Sequence, residues 1–375
     1  MIRGRGFRVA KVFGIDIRLD QSWFIISFFI AWSFGGLFKQ ALRGLEPSAY
    51  TVLGVLAAIL FFLSLLAHEM SHALVARRKG IEVISITLFI FGGVAQIKSD
   101  PVTPGDEFQV AAVGPLTSVV IGAVLFGLGV LADAVGSNTA AVVFETLGFV
   151  NGALAVFNMI PGFPLDGGRI LRSVVWKITG NVLKATKVAS ISGRVMAGLL
   201  IGAGIWRMVR GDILGGGWWI LLGLFLNQAA ASAYKQAVMR MSIEGVSVGS
   251  LMTPQPESVP GNARLDQVVE EFFVAKKHNA FPVTGYGGDL EGIITLQMVQ
   301  EIPQQMWPQM TARQSMVPLQ PDITAQPDES VANIVERMSN NPVGRFLVVE
   351  GQRLVGILTA SDIARHYRLQ TSGTK

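Results

Sequence analysis

Residues 51–79 read TVLGVLAAILFFLSLLAHEMSHALVARRK, an unbroken apolar run, then HEMSH at 68–72, then three cations. No charged residue or histidine stands between Glu46 and His68, a stretch that matches the about 20 apolar residues a helix needs to cross the hydrocarbon layer. In a helix, positions four apart share a face, so His68 and His72 present their imidazoles together. Such a pair can supply two nitrogen ligands to zinc, and Glu69 stands where a carboxylate can take a proton from water. On a solvated helix two ordinary surface histidines would be the simpler reading. Beside this apolar run, two imidazoles and a carboxylate are costly to bury unpartnered, which favours a functional metal site.

Four further stretches are free of Asp, Glu, Lys, Arg and His: Asp20 to Lys39, Glu107 to Asp133, Glu145 to Asp166, and Asp212 to Lys235. A sixth apolar stretch, about Val188 to Trp206, carries Arg194, which can snorkel or line a protein interior. Half of all residues are hydrophobic and only 15% are charged, a balance far from that of average soluble chains. The expectation is a multi-span α-helical membrane protein with about six transmembrane helices. The first apolar stretch has no small-residue cleavage site and is followed by further spans, so it is expected to be a retained helix.

Arg3, Arg5, Arg8, Lys11 and Arg18 precede the first span, which places the N-terminus in the cytoplasm by the Lys/Arg bias. Six crossings return the chain there, and both termini are expected to be cytoplasmic. Arg77, Arg78 and Lys79 after the second span agree, as do Arg169, Arg172, Lys177, Lys184 and Lys187 after the fourth; Arg207 and Arg210 disagree. The basic excess lies in residues 1–240 without a clustered basic face, so no nucleic-acid partner is expected.

Between the second and third spans, IEVISITLFIFGGVAQIK is rich in β-branched and aromatic residues around Gly92 and Gly93, which predicts a β-hairpin. It is too short to cross the membrane. If it lies at membrane depth its backbone must be covered or must pair with another strand; an interfacial loop is the alternative.

Cysteine is absent, so a metal must be held by histidine and carboxylate. A tetrahedral catalytic zinc takes three protein ligands and leaves a position open. Asp166 is the best third ligand, within NMIPGFPLDGGRIL, where Pro161 and Pro164 break a helix and Gly167 and Gly168 permit a tight backbone path. A helix-cap or turn carboxylate is the plainer alternative. Zinc would polarise a scissile carbonyl, with Glu69 as general base and then proton donor to the leaving amine. Asn158 could hydrogen-bond a substrate backbone or developing oxyanion, or serve as a packing amide.

HEMSH in a transmembrane helix, a Gly-Gly hairpin, AAVGPL and NMIPGFPLDGGR together resemble the site-2 protease family of intramembrane zinc metalloproteases, over roughly residues 10–235. The resemblance implies that His68, His72 and Asp166 bind one zinc ion, that Glu69 is the catalytic residue and that Asn158 positions substrate. Gly114 and Pro115 fall on a family Gly-Pro and are expected to pack or kink. The implied partners are the lipid bilayer and a transmembrane protein substrate, such as a membrane-held anti-sigma or pro-sigma factor. The implied location is a prokaryotic plasma (inner) membrane.

After Tyr234 the composition changes to a mixed soluble pattern, which divides the chain into a transmembrane zinc metalloprotease domain at 1–240 and a repeated tail. Two blocks, Val248 to about Ile302 and Ala312 to about Tyr367, each run helix, strand, turn, strand, helix. They resemble a soluble α+β tandem pair of cystathionine-β-synthase-type (CBS) domains, at 246–305 and 312–370. In GILTASDIAR the resemblance implies that Thr359 contacts phosphate and Asp362 the ribose hydroxyls of ATP, ADP or AMP. The first block has Met298 at the acidic position, so at most one good nucleotide site is expected. A ligand-free packing module, or a homodimer formed through the CBS domains, is the alternative role. Two further readings of the whole chain stand beside the protease: a CBS-regulated transporter or channel, and an inactive membrane-protein binder.

Overall fold

The computed structural model describes residues 6–338, 341, 343–351 and 353–372. Arg3 and Arg5 of the basic lead, and Ser339 and Asn340 of the second repeat, lie outside the described residues. The chain forms two compact units, Met1–Lys235 and Gln236–Lys375.

Among the described residues, six helices are long and apolar enough to cross a membrane: α1 (Gln21–Ala41), α2 (Pro47–Arg78), α3 (Pro104–Ala134), α4 (Asn138–Asn158), α6 (Val182–Val209) and α7 (Ile213–Ile243). A helix satisfies its backbone internally, as lipid requires, and among these spans α3 interrupts that ladder at Pro115, which has no N–H to donate. The chain is an integral membrane protein. Arg194, inside α6, is matched by Asn227 of α7, whose Oδ1 accepts from its Nε at 3.4 Å. Helices α3 and α4 approach through glycine: a Cβ on Gly122 would lie 3.1 Å from the Gly148 carbonyl oxygen, and one on Gly148 3.0 Å from that of Gly122.

The fourth span departs from expectation. Helix α4 begins before Glu145, which it contains, and ends at Asn158, so Asp166 does not close it. Residues 159–165 leave the helix, because Pro161 and Pro164 have no N–H to donate. Asp166 instead opens a separate amphipathic helix, α5 (Asp166–Thr179).

The predicted hairpin is present as β3 (Val83–Phe89) and β4 (Gly92–Ile97), paired antiparallel. Its free partner was not foreseen: β1 (Phe7–Val12) and β2 (Ile15–Leu19) make a second hairpin, and β2 runs parallel to β3, from Asp16↔Ser85 to Leu19↔Leu88. The result is one sheet in the order β1-β2-β3-β4. Ile15, Ile17, Ile86 and Leu88 of this sheet share a buried cluster with Phe62, Leu65, Met70 and Ala73 of α2. That cluster seats the sheet on the turns of α2 that carry HEMSH.

In the second unit, β6 (Val259–Pro260), β7 (Ala280–Thr284), β8 (Leu290–Thr295) and β9 (Val317–Pro318) form one sheet. A second sheet has the order β10 (Thr324–Ala325), β11 (Arg345–Glu350), β12 (Arg353–Thr359) and β5 (Thr253–Pro254). The two sheets repeat the same pairing pattern: a parallel pair, then two antiparallel pairs.

Candidate metal centre

Helical spacing brings the two imidazoles of HEMSH together as predicted, and α5 delivers Asp166 to them. His68 Nε2 lies 3.1 Å from Asp166 Oδ2, His72 Nε2 lies 3.2 Å from the same oxygen, and the two Nε2 atoms are 3.2 Å apart. A tetrahedral ion with bonds of about 2.0 Å holds its ligand atoms about 3.3 Å apart. The triangle therefore has the dimensions of three corners of a zinc site.

The opposite ring nitrogens decide which atoms face that triangle. His72 Nδ1 is 2.5 Å from the Val110 carbonyl oxygen, which can only accept, so this nitrogen carries the proton and donates. In the neutral ring Nε2 is then a bare lone pair, directed at a carboxylate oxygen and a second imidazole nitrogen. Two acceptors, His72 Nε2 and Asp166 Oδ2, converge there, and His68 Nε2 makes a third when its ring proton lies on Nδ1, an arrangement that a cation satisfies. His68 Nδ1 is 2.9 Å from Ser118 Oγ, which orients the second ring similarly. Both imidazoles are buried, His68 at 2% and His72 at 6% exposure.

Glycine makes the assembly sterically possible. A Cβ on Gly114 of α3 would collide with Nε2 of both His68 and His72, so α3 can lie against the Nε2 edges of the rings only without a side chain there. The Asp-Gly-Gly sequence has the same logic. A Cβ on Gly167 would meet the backbone of Met159 and Ile160, and one on Gly168 that of Gly162 and Phe163. The loop 159–165 folds directly onto the first turn of α5, which fixes where Asp166 starts.

Glu69 is half-buried and lies under β4, where a Cβ on Gly93 would be 2.5 Å from its Cγ. Asn158 is the last residue of α4 and is half-buried. Ser118 and Val110 escaped sequence reasoning, since one is an ordinary helix serine and the other acts through its backbone.

In the second unit, Thr359 and Asp362 meet each other. Asp362 Oδ2 accepts from the Thr359 backbone N–H at 3.0 Å and from its hydroxyl at 2.7 Å, while Thr359 Oγ1 accepts from the Asp362 N–H at 3.3 Å. This is a reciprocal capping box at the start of helix Ala360–Ser372. A cavity of about 480 Å³ lies at the equivalent position of the first repeat, lined among others by Asn279, Thr295, Met298, Glu301 and Arg345. Burial holds the Arg345 guanidinium below its ordinary pKa, and its Nη1 donates to the Val343 carbonyl at 3.4 Å.

Residues 56–139 and 132–203 match the sequence profile of Peptidase family M50, and residues 248–302 and 315–369 match that of the CBS domain. A Mycobacterium tuberculosis protein named as a zinc metalloprotease, Rip3, is 33% identical over 361 residues, covering 95% of this chain and 91% of its own. A Synechocystis protein named in the same way, sll0528, is 34% identical over 371 residues, covering 97% and 96%. Among solved structures, the site-2 protease of Methanocaldococcus jannaschii is 28% identical, covers 61% of this chain and 95% of that one, and superposes with a TM-score of 0.44. With relatives this similar along almost its whole length, the chain belongs to peptidase family M50, the site-2 protease family of metalloproteases, and carries a tandem CBS pair.

Proposed function

We propose that the chain is an intramembrane zinc endopeptidase in which His68, His72 and Asp166 hold the metal and Glu69 is the general base. The observation that carries this reading is the convergence of three potential ligand atoms 3.1 to 3.2 Å apart on a buried site beside a carboxylate. Zinc, when bound, supplies Lewis acidity toward a scissile carbonyl and lowers the pKa of water. Glu69 takes the proton of the attacking water and returns it to the leaving amine. Val110 and Ser118 hold the imidazoles in one orientation, and Asn158 positions the substrate backbone. The site is made by α2 and α5, and their neighbouring cations Arg77, Arg78, Lys79 and Lys177 support a position toward the cytoplasmic side, in a membrane that the family resemblance suggests is a prokaryotic plasma membrane.

The substrate is a transmembrane protein, and the family resemblance points to membrane-held regulators such as anti-sigma or pro-sigma factors. The test compares the detergent-purified chain with Glu69→Gln for zinc content and for cleavage of a model transmembrane substrate. Stoichiometric zinc in both, with cleavage lost only in Glu69→Gln, supports the reading. Absent zinc, or equal cleavage by both, sinks it in favour of a transporter or an inactive binder.

A second proposal concerns the CBS pair: an adenine nucleotide binds there and regulates cleavage. The half-buried Arg345 in the cavity beside Thr295 supplies a site for phosphate. Asp362 is already engaged in its capping box and contributes less than its motif implies.

A further inference from the structure

Glu107 stands in the first turn of α3 with no exposed surface at all. A carboxylate so placed carries a large desolvation penalty unless it is paired. Its partners come from α5: Arg172 binds Oε1 through both Nε and Nη2, and Arg169 Nε lies 4.0 Å from the same oxygen. The Arg172 guanidinium also sits 5.3 Å over the ring of Phe163. One cation therefore grips α3 and the loop that leads into Asp166. Arg169 is one turn beyond Asp166, so the pairing fixes both the rotation and the height of the turn that presents the carboxylate.

The rest of α3 shows what this pairing is aligned with. Glu107, Val110, Gly114 and Ser118 are three, four and four residues apart, which puts them on one stripe of the helix. Val110 accepts from His72, Gly114 lies against both imidazoles and Ser118 meets His68. The stripe thus touches both histidines directly and reaches the third ligand through α5.

We propose that Glu107 is a positioning residue for Asp166, acting through Arg172 and Arg169 to set the third ligand against the histidines. The inference rests on the reading of His68, His72 and Asp166 as a metal centre. It is tested on the full chain in detergent by measuring zinc affinity in competition with a chromogenic chelator, for Glu107→Leu alone and in an Asp166→Ala background. Glu107→Leu is expected to weaken zinc binding about 10- to 100-fold when Asp166 is present, and to change nothing further when it is absent. An unchanged affinity in the first case, or the same loss in both backgrounds, overturns the proposal, since the latter reports only general destabilisation. Should Glu107→Leu fail to fold, Glu107→Gln, neutral and close in shape, is read in the same way with a smaller expected loss. If the unsubstituted chain binds zinc no better than Asp166→Ala, it is the metal centre that has failed, a result distinct from loss of the Glu107 effect alone.

Discussion

Gly93 and Glu69 are in backbone-to-side-chain contact: a methyl group on Gly93 would lie 2.5 Å from Glu69 Cγ and 2.8 Å from its Cδ. The hairpin strand β4 is thus a lid whose smallest residue rests on the proposed base. Gly93→Val should push the carboxylate aside while leaving the three proposed ligands in place. Displacements of about 1 Å can cost about 10²-fold in rate, so kcat/KM on a model transmembrane substrate should fall by about that factor with zinc content unchanged. Loss of zinc together with activity would mean that the strand supports the metal centre itself.

Ser118→Ala removes the oxygen that meets His68 Nδ1 at 2.9 Å. Outer partners of this kind are typically worth about 10- to 100-fold in metal affinity. Chelator competition should show a loss in that range, and Ser118→Thr, which keeps the hydroxyl, should recover most of it.

Gly114→Ala introduces a Cβ into the edges of both imidazoles. Overpacking of this kind costs about 1–3 kcal/mol, or roughly a 5- to 150-fold loss of zinc affinity if the strain falls on the bound state. Equal zinc affinity in Gly114→Ala would show that α3 can retreat from the rings.

The two roles available to the tail are separable by two substitutions. Asp362→Ala breaks the capping box with Thr359 and should destabilise the second unit by about 1 kcal/mol, seen as a lower melting temperature without nucleotide. Arg345→Met should leave that temperature nearly unchanged and weaken ATP binding about 10-fold or more, the usual loss for a charge-assisted bond. If Asp362→Ala abolishes ATP binding and Arg345→Met does not, the nucleotide sits at the second repeat.

Much of this architecture is written as interruptions of hydrophobicity. Five charge-free stretches and one carrying Arg194 locate six membrane-capable helices, because lipid leaves a chain few alternatives to a helix. HEMSH is equally readable, since four-residue spacing needs no tertiary knowledge. The uncharged stretch from Glu145 to Asp166 is out of step with the fourth helix: Pro161 and Pro164 mark the break, but absence of charge shows neither that the helix already begins at Asn138 nor that Asp166 opens a new one. The strands β1 and β2 were hidden by their cations: FRVAKVFGIDIRL alternates and turns at Phe13-Gly14, both at positive φ, but Arg8, Lys11 and Arg18 suggested a basic lead.

The groups that orient the histidines were out of reach for a different reason. Val110 acts through a carbonyl every residue possesses, and Ser118 is fifty positions from His68. In the sequence Arg169 and Arg172 read only as markers of membrane orientation; that Arg172 is also bound to a buried carboxylate is visible only in space. Glu107 was only the edge of an uncharged stretch. Pairings of this sort exist in space before they exist in any local pattern.

Helix α3 supplies none of the three proposed ligands, yet its stripe from Glu107 to Ser118 touches both histidines and pairs with the helix that carries Asp166. A natural variant could therefore keep HEMSH and Leu-Asp-Gly-Gly intact and still be a dead protease, through changes three or four residues apart in a helix that neither of those two signatures covers. Sorting working members of such a lineage from retired ones calls for inspecting that stripe as well as the signatures.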